Sequence, residues 1–468
     1  MKKQTIAFLT GGIVAMIITG CHSKKPGSHE VMSAGELMKL KTELVAEFNR
    51  LEPQVIQPAE GYLKYPYLIP AGFYKQMWDW DGFFIANHLA SAGKPEYLKY
   101  WALNLIAGID STGFVAGCAT TEGPRAVFGK FAMKPFLSQG VYFASVQLND
   151  FSWVEPCYDA LMKSLEYRDR TQLDSTYNCY YWENAGQSGA DNNPAMNYFE
   201  EDTRSYLAPD ASTFQLREII AQALIAGRLG KKEDHRMLMK KAAALEKAIN
   251  KHLWCEEDQM YYTVDRETGA FYRRVSYSGF IPLIQNLAPE AKGKEMIRRY
   301  LINPRHMKAN YGYRSLSAQD PDYNNKNIII PFSNWQGPVW PIANYLYSIG
   351  LKNYGFNDEL RWLAGTLGRL TLDDIRTCGS MHENYHADTG APLAPAAGYV
   401  DASGRFVGFV GWNLCIQNIL EGVTEDKWML LELPEAGKHE DGQVLPASCM
   451  TAGYTSCIHT SRLSVRKR

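Results

Sequence analysis

Residues 378–392 read CGSMHENYHADTGAP, and the way His382-Glu383-Asn384-Tyr385-His386 folds decides what kind of protein this is. On an α-helix the two histidines would stand one turn apart on one face, where they could hold zinc while the glutamate between them serves as general base. The flanks argue against that helix. Gly379-Ser380 precede the five residues, Asp388-Thr389-Gly390-Ala391-Pro392 follow almost at once, and no apolar register borders them. Neither an H-x-x-G-x-x-H extension nor a distal E-x-x-x-D supplies a third ligand. The stretch therefore predicts a loop that carries Glu383 over a scaffold built elsewhere.

That scaffold reads as helical. Ser33 opens a helix with a capping box to Glu36, and Leu37, Leu40, Leu44, Phe48 and Leu51 follow at spacings of three and four. From Asp234, the series Leu238, Ala242, Leu245, Ile249 and Leu253 repeats the pattern, as do Leu360, Leu363, Leu367 and Leu370. Further helices are predicted near 80–93, 95–108, 136–149, 152–171, 211–230, 278–287, 291–303, 337–351 and 408–421. Strand-like alternation is confined to short pieces such as Met260-Tyr261-Tyr262-Thr263-Val264. Twelve helices joined by long Gly-, Pro- and aromatic-rich connections suit an all-α ring of six hairpins, an (α/α)6 barrel whose loops carry the site. No linker or low-complexity block interrupts residues 33–434, which are read as one domain. Beyond Pro434 the periodicity stops, and 435–468 reads as a poorly ordered tail.

The chain starts with Lys2-Lys3, then an apolar run from Ile6 to Ile18 and the sequence Ile18-Thr19-Gly20-Cys21. This is too short to span a bilayer and reads as an export signal over residues 1–21. Its ending resembles a bacterial lipobox, which implies that cleavage leaves Cys21 as a lipidated first residue. Residues 22–32 then form a polar tether, and the expected location is the cell envelope, at the periplasmic or outer surface. Plain secretion is the alternative. The 49 basic and 50 acidic residues are interspersed, so nothing in the charge suits nucleic acid. The 28 Tyr and 11 Trp fit either dense packing or platforms for sugar rings. Cys118, Cys157, Cys179, Cys255, Cys378, Cys415, Cys449 and Cys457 show no C-x-x-C pair, which removes zinc ribbons and thioredoxin-type motifs.

Four loop segments could carry chemistry. Met77-Trp78-Asp79-Trp80-Asp81-Gly82-Phe83-Phe84 sets two carboxylates among indoles at a helix start. These aspartates are either caps or a clamp that takes sugar hydroxyls under an aromatic cover. Ser188-Gly189-Ala190-Asp191-Asn192-Asn193-Pro194 is either a plain turn or a stiff loop presenting a general acid. Asn334-Trp335-Gln336-Gly337-Pro338-Val339-Trp340-Pro341 is either the start of a helix or a second aromatic wall. The fourth is the stretch around Glu383.

Together these segments resemble glycoside hydrolase family 63 and the wider trehalase-like clan, in order, over most of residues 60–434. Trp78 to Phe84 is similar to the family's W-D-x-x-F-F segment, and Lys134-Pro135-Phe136 to its K-P-P or Q-P-P segment. Ser188 to Asn192 is similar to the S-G-x-D-[ND] general-acid loop, and His252-Leu253-Trp254 with Tyr261-Tyr262-Thr263-Val264-Asp265 to the L-W…Y-x-x-x-D stretch. Gly312 to Ser317 resembles G-x-R-S-L-S, and Trp335 to Trp340 resembles W-[RQ]-G-P-x-W. His382 to Tyr385 with Thr389-Gly390 resembles H-E-N-Y…T-G, and Phe409 to Trp412 the closing F-x-W. Phe136, where the family has proline, and a bulky Trp80 depart from the pattern.

The resemblance implies an (α/α)6 barrel and an inverting α-glycosidase, with Asp191 as general acid and Glu383 as general base. In inversion one carboxyl protonates the leaving oxygen while the other activates a water opposite. Asp191 should therefore hold its proton and Glu383 should stay ionised. Trp78, Asp79, Asp81, Lys134, Arg314, Trp335, Gly337, Trp340, Tyr385 and Trp412 are carried over as substrate-binding residues. The mechanism needs no metal or cofactor, and the expected partner is an oligosaccharide or glycoside. The H-E-N-Y form points to an exo-acting α-glucosidase; a trehalase or mannosylglycerate hydrolase is the nearest alternative. Outside the clan, the competing readings are a zinc metallopeptidase, a non-catalytic glycan-binding lipoprotein, and a lyase or epimerase. Arg314 and Lys134 are too few cations for a uronate lyase.

Overall fold

The computed structural model describes residues 31–70, 74–126, 131–196, 205–328, 333–394, 399–428 and 432–434. The expected signal, Cys21, most of the tether and the tail 435–468 lie outside the described residues. Thirteen α-helices are described: α1 (Ala34–Leu51), α2 (Asp79–Ser91), α3 (Glu96–Ile106), α4 (Leu137–Leu148), α5 (Tyr158–Gln172), α6 (Ala185–Ser188), α7 (Pro209–Arg228), α8 (Lys232–His252), α9 (Tyr277–Phe280), α10 (Glu290–Met296), α11 (Pro341–Asn353), α12 (Asn357–Cys378) and α13 (Cys415–Glu425).

The helices arrange as two concentric rings. The inner ring runs from α2 to α4, α7, the 3₁₀ turn Ile281–Gln285 that continues α9, then α11 and α13, and closes where α13 packs on α2. Outside it, α1 packs on α12 and α13, α3 on α2 and α4, and α8 along α7. This is the (α/α)6 barrel expected from the sequence. The outer helices α1, α8 and α12 bury one stripe: Leu37, Leu40, Leu44, Phe48 and Leu51 in α1 and Leu238, Ala242, Leu245 and Ile249 in α8. The Ser33 to Glu36 capping box forms as read, with the Glu36 carboxylate accepting from Ser33 N–H at 2.8 Å. Inner helices are buried on every face. In α7 this includes the polar side chains Asp210, Gln215, Arg217, Glu218 and Gln222.

Several predicted helices differ in detail. The stretch near 278–287 is one α-turn followed by a 3₁₀ turn, because Pro282 cannot donate into a continuing helix. That near 291–303 ends in a π-turn over Ile297–Leu301. That near 408–421 begins only at Trp412, as a 3₁₀ turn leading into α13. The strand-like piece at 260–264 enters two small antiparallel sheets, Met260–Tyr261 pairing with Trp254–Cys255 and Thr263–Asp265 lying between Phe271–Tyr272 and Tyr206–Leu207. All six described cysteines are free thiols. Among the described residues, no helix is long and apolar enough to cross a membrane.

The inner helices share a direction, so the segments leading into α2, α4, α7, α11 and α13 gather at one end of the barrel. The four chemistry-bearing loops meet at that same end.

Candidate active site

At that end lies a cavity of about 290 Å³. Its walls include Trp78, Asp79 and Asp81 from the start of α2, Lys134 from the approach to α4, and Asp191 from the loop after α6. Trp335 and Trp340 come from the approach to α11, Glu383 from the loop after α12, and Trp412 from the turn before α13. Tyr74, Ser333, Tyr399 and Phe409 also line it; the first three had no place in the sequence reading.

Each wall residue is held by its local fold. Asn184 caps the single turn α6, accepting from Gln187 N–H at 3.1 Å, and Gly189 ends it in the left-handed region at φ +85°. Lys134 lies close against this glycine: a Cβ there would meet Lys134 Cε at 2.9 Å. Asn192 then ties the loop across the site, its Oδ1 accepting from Trp335 N–H at 2.5 Å and its carbonyl from Gln336 Nε2 at 3.2 Å. The segment is thus the turn its residues suggest, and it also presents Asp191 to the cavity.

The aromatic wall is ordered by stacking. Trp335 and Trp340 lie parallel, centroids 4.3 Å apart and planes 11° apart, and Trp412 follows at 6.2 Å from Trp340. Trp340 Nε1 is anchored on the Asn334 carbonyl at 2.8 Å. The indole N–H groups of Trp78, Trp335 and Trp412 find no acceptor among the described residues.

Asp79 and Asp81 divide the roles left open for them. Asp79 faces the protein: its carboxylate accepts from Trp80 N–H and Lys134 N–H, both at 2.6 Å, and Lys134 Nζ stands 3.4 Å away. Asp81 faces the cavity, and burial together with the nearby Asp79 and Glu383 charges pushes its carboxyl well above the usual range, against the pull of Lys134.

Both carboxyls read as catalytic are shifted upward. Burial raises Asp191 to about 6, opposed by the Ser333 hydroxyl, which donates to its Oδ2 at 2.5 Å, and by Lys134. Burial raises Glu383 to about 7, opposed by a hydrogen bond from the Tyr399 hydroxyl and reinforced by the charge of Asp191. Both values stand near neutral, and the expected protonated Asp191 with ionised Glu383 is one of the two one-proton states of the pair. Ser333 and Lys134 favour the Asp191 anion, whereas Glu383 meets a like charge. Between these values the pair carries one proton.

Three residues carried over as substrate-binding lie elsewhere. The Arg314 guanidinium points away from the cavity, reaching Asp388 at 2.8 Å, the Tyr323 hydroxyl at 3.0 Å and the carbonyls of Pro304, His306 and Lys308. It fastens the segment that follows Glu383. Gly337 allows two backbones to touch, since a Cβ there would meet the Asn324 carbonyl oxygen at 2.1 Å. Tyr385 is fully buried and donates to Asp374 Oδ2 at 2.7 Å.

The helix that zinc would need at 382–386 is not formed. Asn384–Tyr385 is extended and pairs with Pro392–Leu393. His382 Nδ1 lies 3.0 Å from both oxygens of Asp374, and His386 Nδ1 accepts from Asp388 N–H at 3.2 Å.

A ring of helical hairpins with two buried carboxyls and an indole wall at one end is the (α/α)6 architecture, open on a site of carboxyls and aromatic rings. Residues 74–400 match the family described as the mannosylglycerate hydrolase MGH1-like glycoside hydrolase domain. The chain belongs to this family, within glycoside hydrolase family 63. It is 30% identical over 137 residues to mannosylglycerate hydrolase MGH1 of Selaginella moellendorffii, a match to 29% of this chain and 25% of that relative. The chain thus spans about a quarter of the length of that relative. The fold is similar to that of the mannosylglycerate hydrolase of Thermus thermophilus solved with Tris and D-glycerate, with a TM-score of 0.62 and 17% identity, covering 81% of this chain and 99% of that one. It is also similar to neutral trehalase Nth1 of Saccharomyces cerevisiae, with a TM-score of 0.57 and 15% identity over 77% of this chain and 74% of that one.

Proposed function

We propose that this glycoside hydrolase is an inverting, exo-acting α-glycosidase, with Asp191 as general acid and Glu383 as general base. The observation that carries the reading is the pair itself: both carboxyls open on one cavity, and both are pushed toward neutral pH. In the reaction Asp191 gives its proton to the glycosidic oxygen as the anomeric carbon–oxygen bond breaks. Glu383 takes a proton from the water that attacks the opposite face of that carbon. The pair ends with the same number of protons, moved from one carboxyl to the other, and exchange with solvent restores the start. The indole wall of Trp335, Trp340 and Trp412 covers the apolar face of the ring.

The cavity chemistry favours a neutral leaving group, as in an α-linked glucoside. Asp79, Asp81, Asp191 and Glu383 line the cavity, and Lys134, the cation among its described residues, is already engaged by Asp79. The second reading is a mannosylglycerate hydrolase, favoured by the family description and by the D-glycerate in the Thermus relative. Its anionic leaving group would meet the field of those carboxyls. Purified protein assayed on α-linked gluco-oligosaccharides and on mannosylglycerate separates the two. A higher kcat/KM on mannosylglycerate would overturn the preference for a neutral aglycone. Proton NMR of the first product gives the stereochemistry: a β-anomer is expected, and an α-anomer would refute inversion. We further propose that the enzyme works at the cell envelope on a lipid attached to Cys21, which mass spectrometry of the mature N-terminus tests.

A further inference from the structure

Asp374 stands in the last turns of α12 and is buried. Its carboxylate gathers three donors from two residues. His382 N–H reaches Oδ2 at 2.8 Å, His382 Nδ1 lies 3.0 Å from both oxygens, and the Tyr385 hydroxyl reaches Oδ2 at 2.7 Å. His382 and Tyr385 bracket Glu383, one residue before it and two after. Neither lines the cavity.

The backbone between them is fixed as well. The Met381 carbonyl accepts from Phe409 N–H at 2.7 Å, the His382 carbonyl from Asn413 Nδ2 at 2.7 Å, and Tyr385 exchanges backbone bonds of 2.8 and 3.0 Å with Val339. The His382 ring also stacks on Phe406, centroids 4.6 Å apart. A buried carboxylate that accepts several hydrogen bonds resists displacement, because moving any donor leaves a charged acceptor unpaired. The Cys378 thiol and His382 also lie within 4.8 Å of an Asp374 oxygen, a grouping with metal-ligand atoms. Donors from His382 and Tyr385 already take up that carboxylate, so the grouping acts as an anchor.

We propose that Asp374 is the positioning residue of this site: through His382 and Tyr385 it sets the point from which Glu383 takes the proton of the attacking water. The proposal rests on the reading of Glu383 as general base. Asp374 reaches Glu383 through the hydrogen bonds of His382 and Tyr385 on either side of it, so it works through geometry.

The test uses the full chain and the variants Asp374→Asn, Asp374→Ala, Tyr385→Phe, Glu383→Gln and Asp191→Asn. Each is assayed on an ordinary α-glycoside and on the matching α-glycosyl fluoride, whose departure needs little protonation. A misplaced base costs turnover rather than binding, so Asp374→Asn should lose about 10- to 100-fold in kcat with KM within about twofold. The loss should be equal on the fluoride, and the pH limbs should stay in place. Tyr385→Phe should lose less, Asp374→Ala more, and Asp191→Asn should retain the fluoride reaction. Tyr385→Phe removes one hydroxyl, so it decides the matter if Asp374→Ala does not fold. Wild-type kcat in both Asp374→Asn and Tyr385→Phe, with Glu383→Gln inactive, would overturn the positioning role alone. Full activity in Glu383→Gln would overturn the general-base reading, and this proposal with it.

Discussion

The Tyr399 hydroxyl donates to Oε2 of Glu383, and both groups are buried at the cavity wall. The bond favours the ionised carboxylate, opposing burial and the charge of Asp191. Tyr399→Phe should therefore raise the Glu383 pKa further and shrink the fraction of ionised base below neutral pH. A loss of about tenfold in kcat/KM at pH 6 is expected, less at pH 8, from one charge-assisted hydrogen bond. A pH–rate profile identical to wild type would show that the hydroxyl does not reach the base in solution.

The pH profile of kcat/KM should be a narrow bell. Activity falls as the second proton is added below about 6 and as the shared proton is lost above about 7. Asp191→Asn removes the like charge beside Glu383, so the Glu383 carboxyl should titrate lower, which carbon-13 NMR can follow.

Stability should respond to the same two groups. Their ordinary values are 3.8 and 4.5, and the folded values are raised to about 6 and about 7. The folded state binds the extra protons, so this contribution is fully present below the ordinary values and is lost as pH rises through the folded ones. Urea unfolding should show a decline in stability between about pH 4 and pH 7, and the Asp191→Asn/Glu383→Gln double variant should decline less.

Removing either carboxyl ends catalysis without ending binding. Asp191→Asn and Glu383→Gln should each reduce kcat on an α-glycoside by about 10²- to 10⁴-fold, the usual yield of a positioned acid or base. Calorimetry should still detect the sugar in both variants. Turnover at wild-type rate in either would remove that residue from the mechanism.

Trp80 and Phe136, the two departures from the family pattern, meet edge to face at 5.8 Å and pack with Phe84 and Phe214 beneath the cavity. Both are buried. Trp80 lines the cavity, whereas Phe136 lies behind it. Trp80→Ala should cost about 3–5 kcal/mol in unfolding free energy, the usual penalty for emptying an aromatic core position. Phe136→Ala in the Trp80→Ala background should cost less than it does alone, because the partner ring is already gone.

The ring of hairpins was legible mainly through its outside. Helices α1, α8 and α12 face water on one side, which imprints a stripe of leucines. Helix α7 has no such stripe, because it is covered on every face and buries Asp210, Arg217 and Glu218 along with its alanines and isoleucines. At the site, the segments around Trp78 and Trp335 stood out for indoles set among carboxylates or prolines, whereas Asp191, in a stretch that also reads as a plain turn, and Trp412 were picked out by the family resemblance. Ser333, Tyr399 and Asp374 were not. A serine beside Asn334, a tyrosine sixteen residues after Glu383 and an aspartate ending a leucine-rich helix acquire meaning only when the barrel brings them together. Arg314, Gly337 and Tyr385 show the converse. They sit in motifs that resemble the family's, yet they shape the loops without touching the cavity.

The joint between α13 and α2 has a consequence for how the enzyme comes into being. Ser91 Oγ donates to Glu421 Oε2 at 2.9 Å and Cys415 Sγ lies 3.7 Å from the Phe84 carbonyl, each spanning more than 300 residues. Pairings this distant in sequence are costly in closure entropy, and contacts of this kind slow folding. Trp412 enters the cavity wall on that same final hairpin. A folding chain can therefore bring Asp191 and Glu383 together before the pocket around them is sealed, and the wall is completed only when this joint closes.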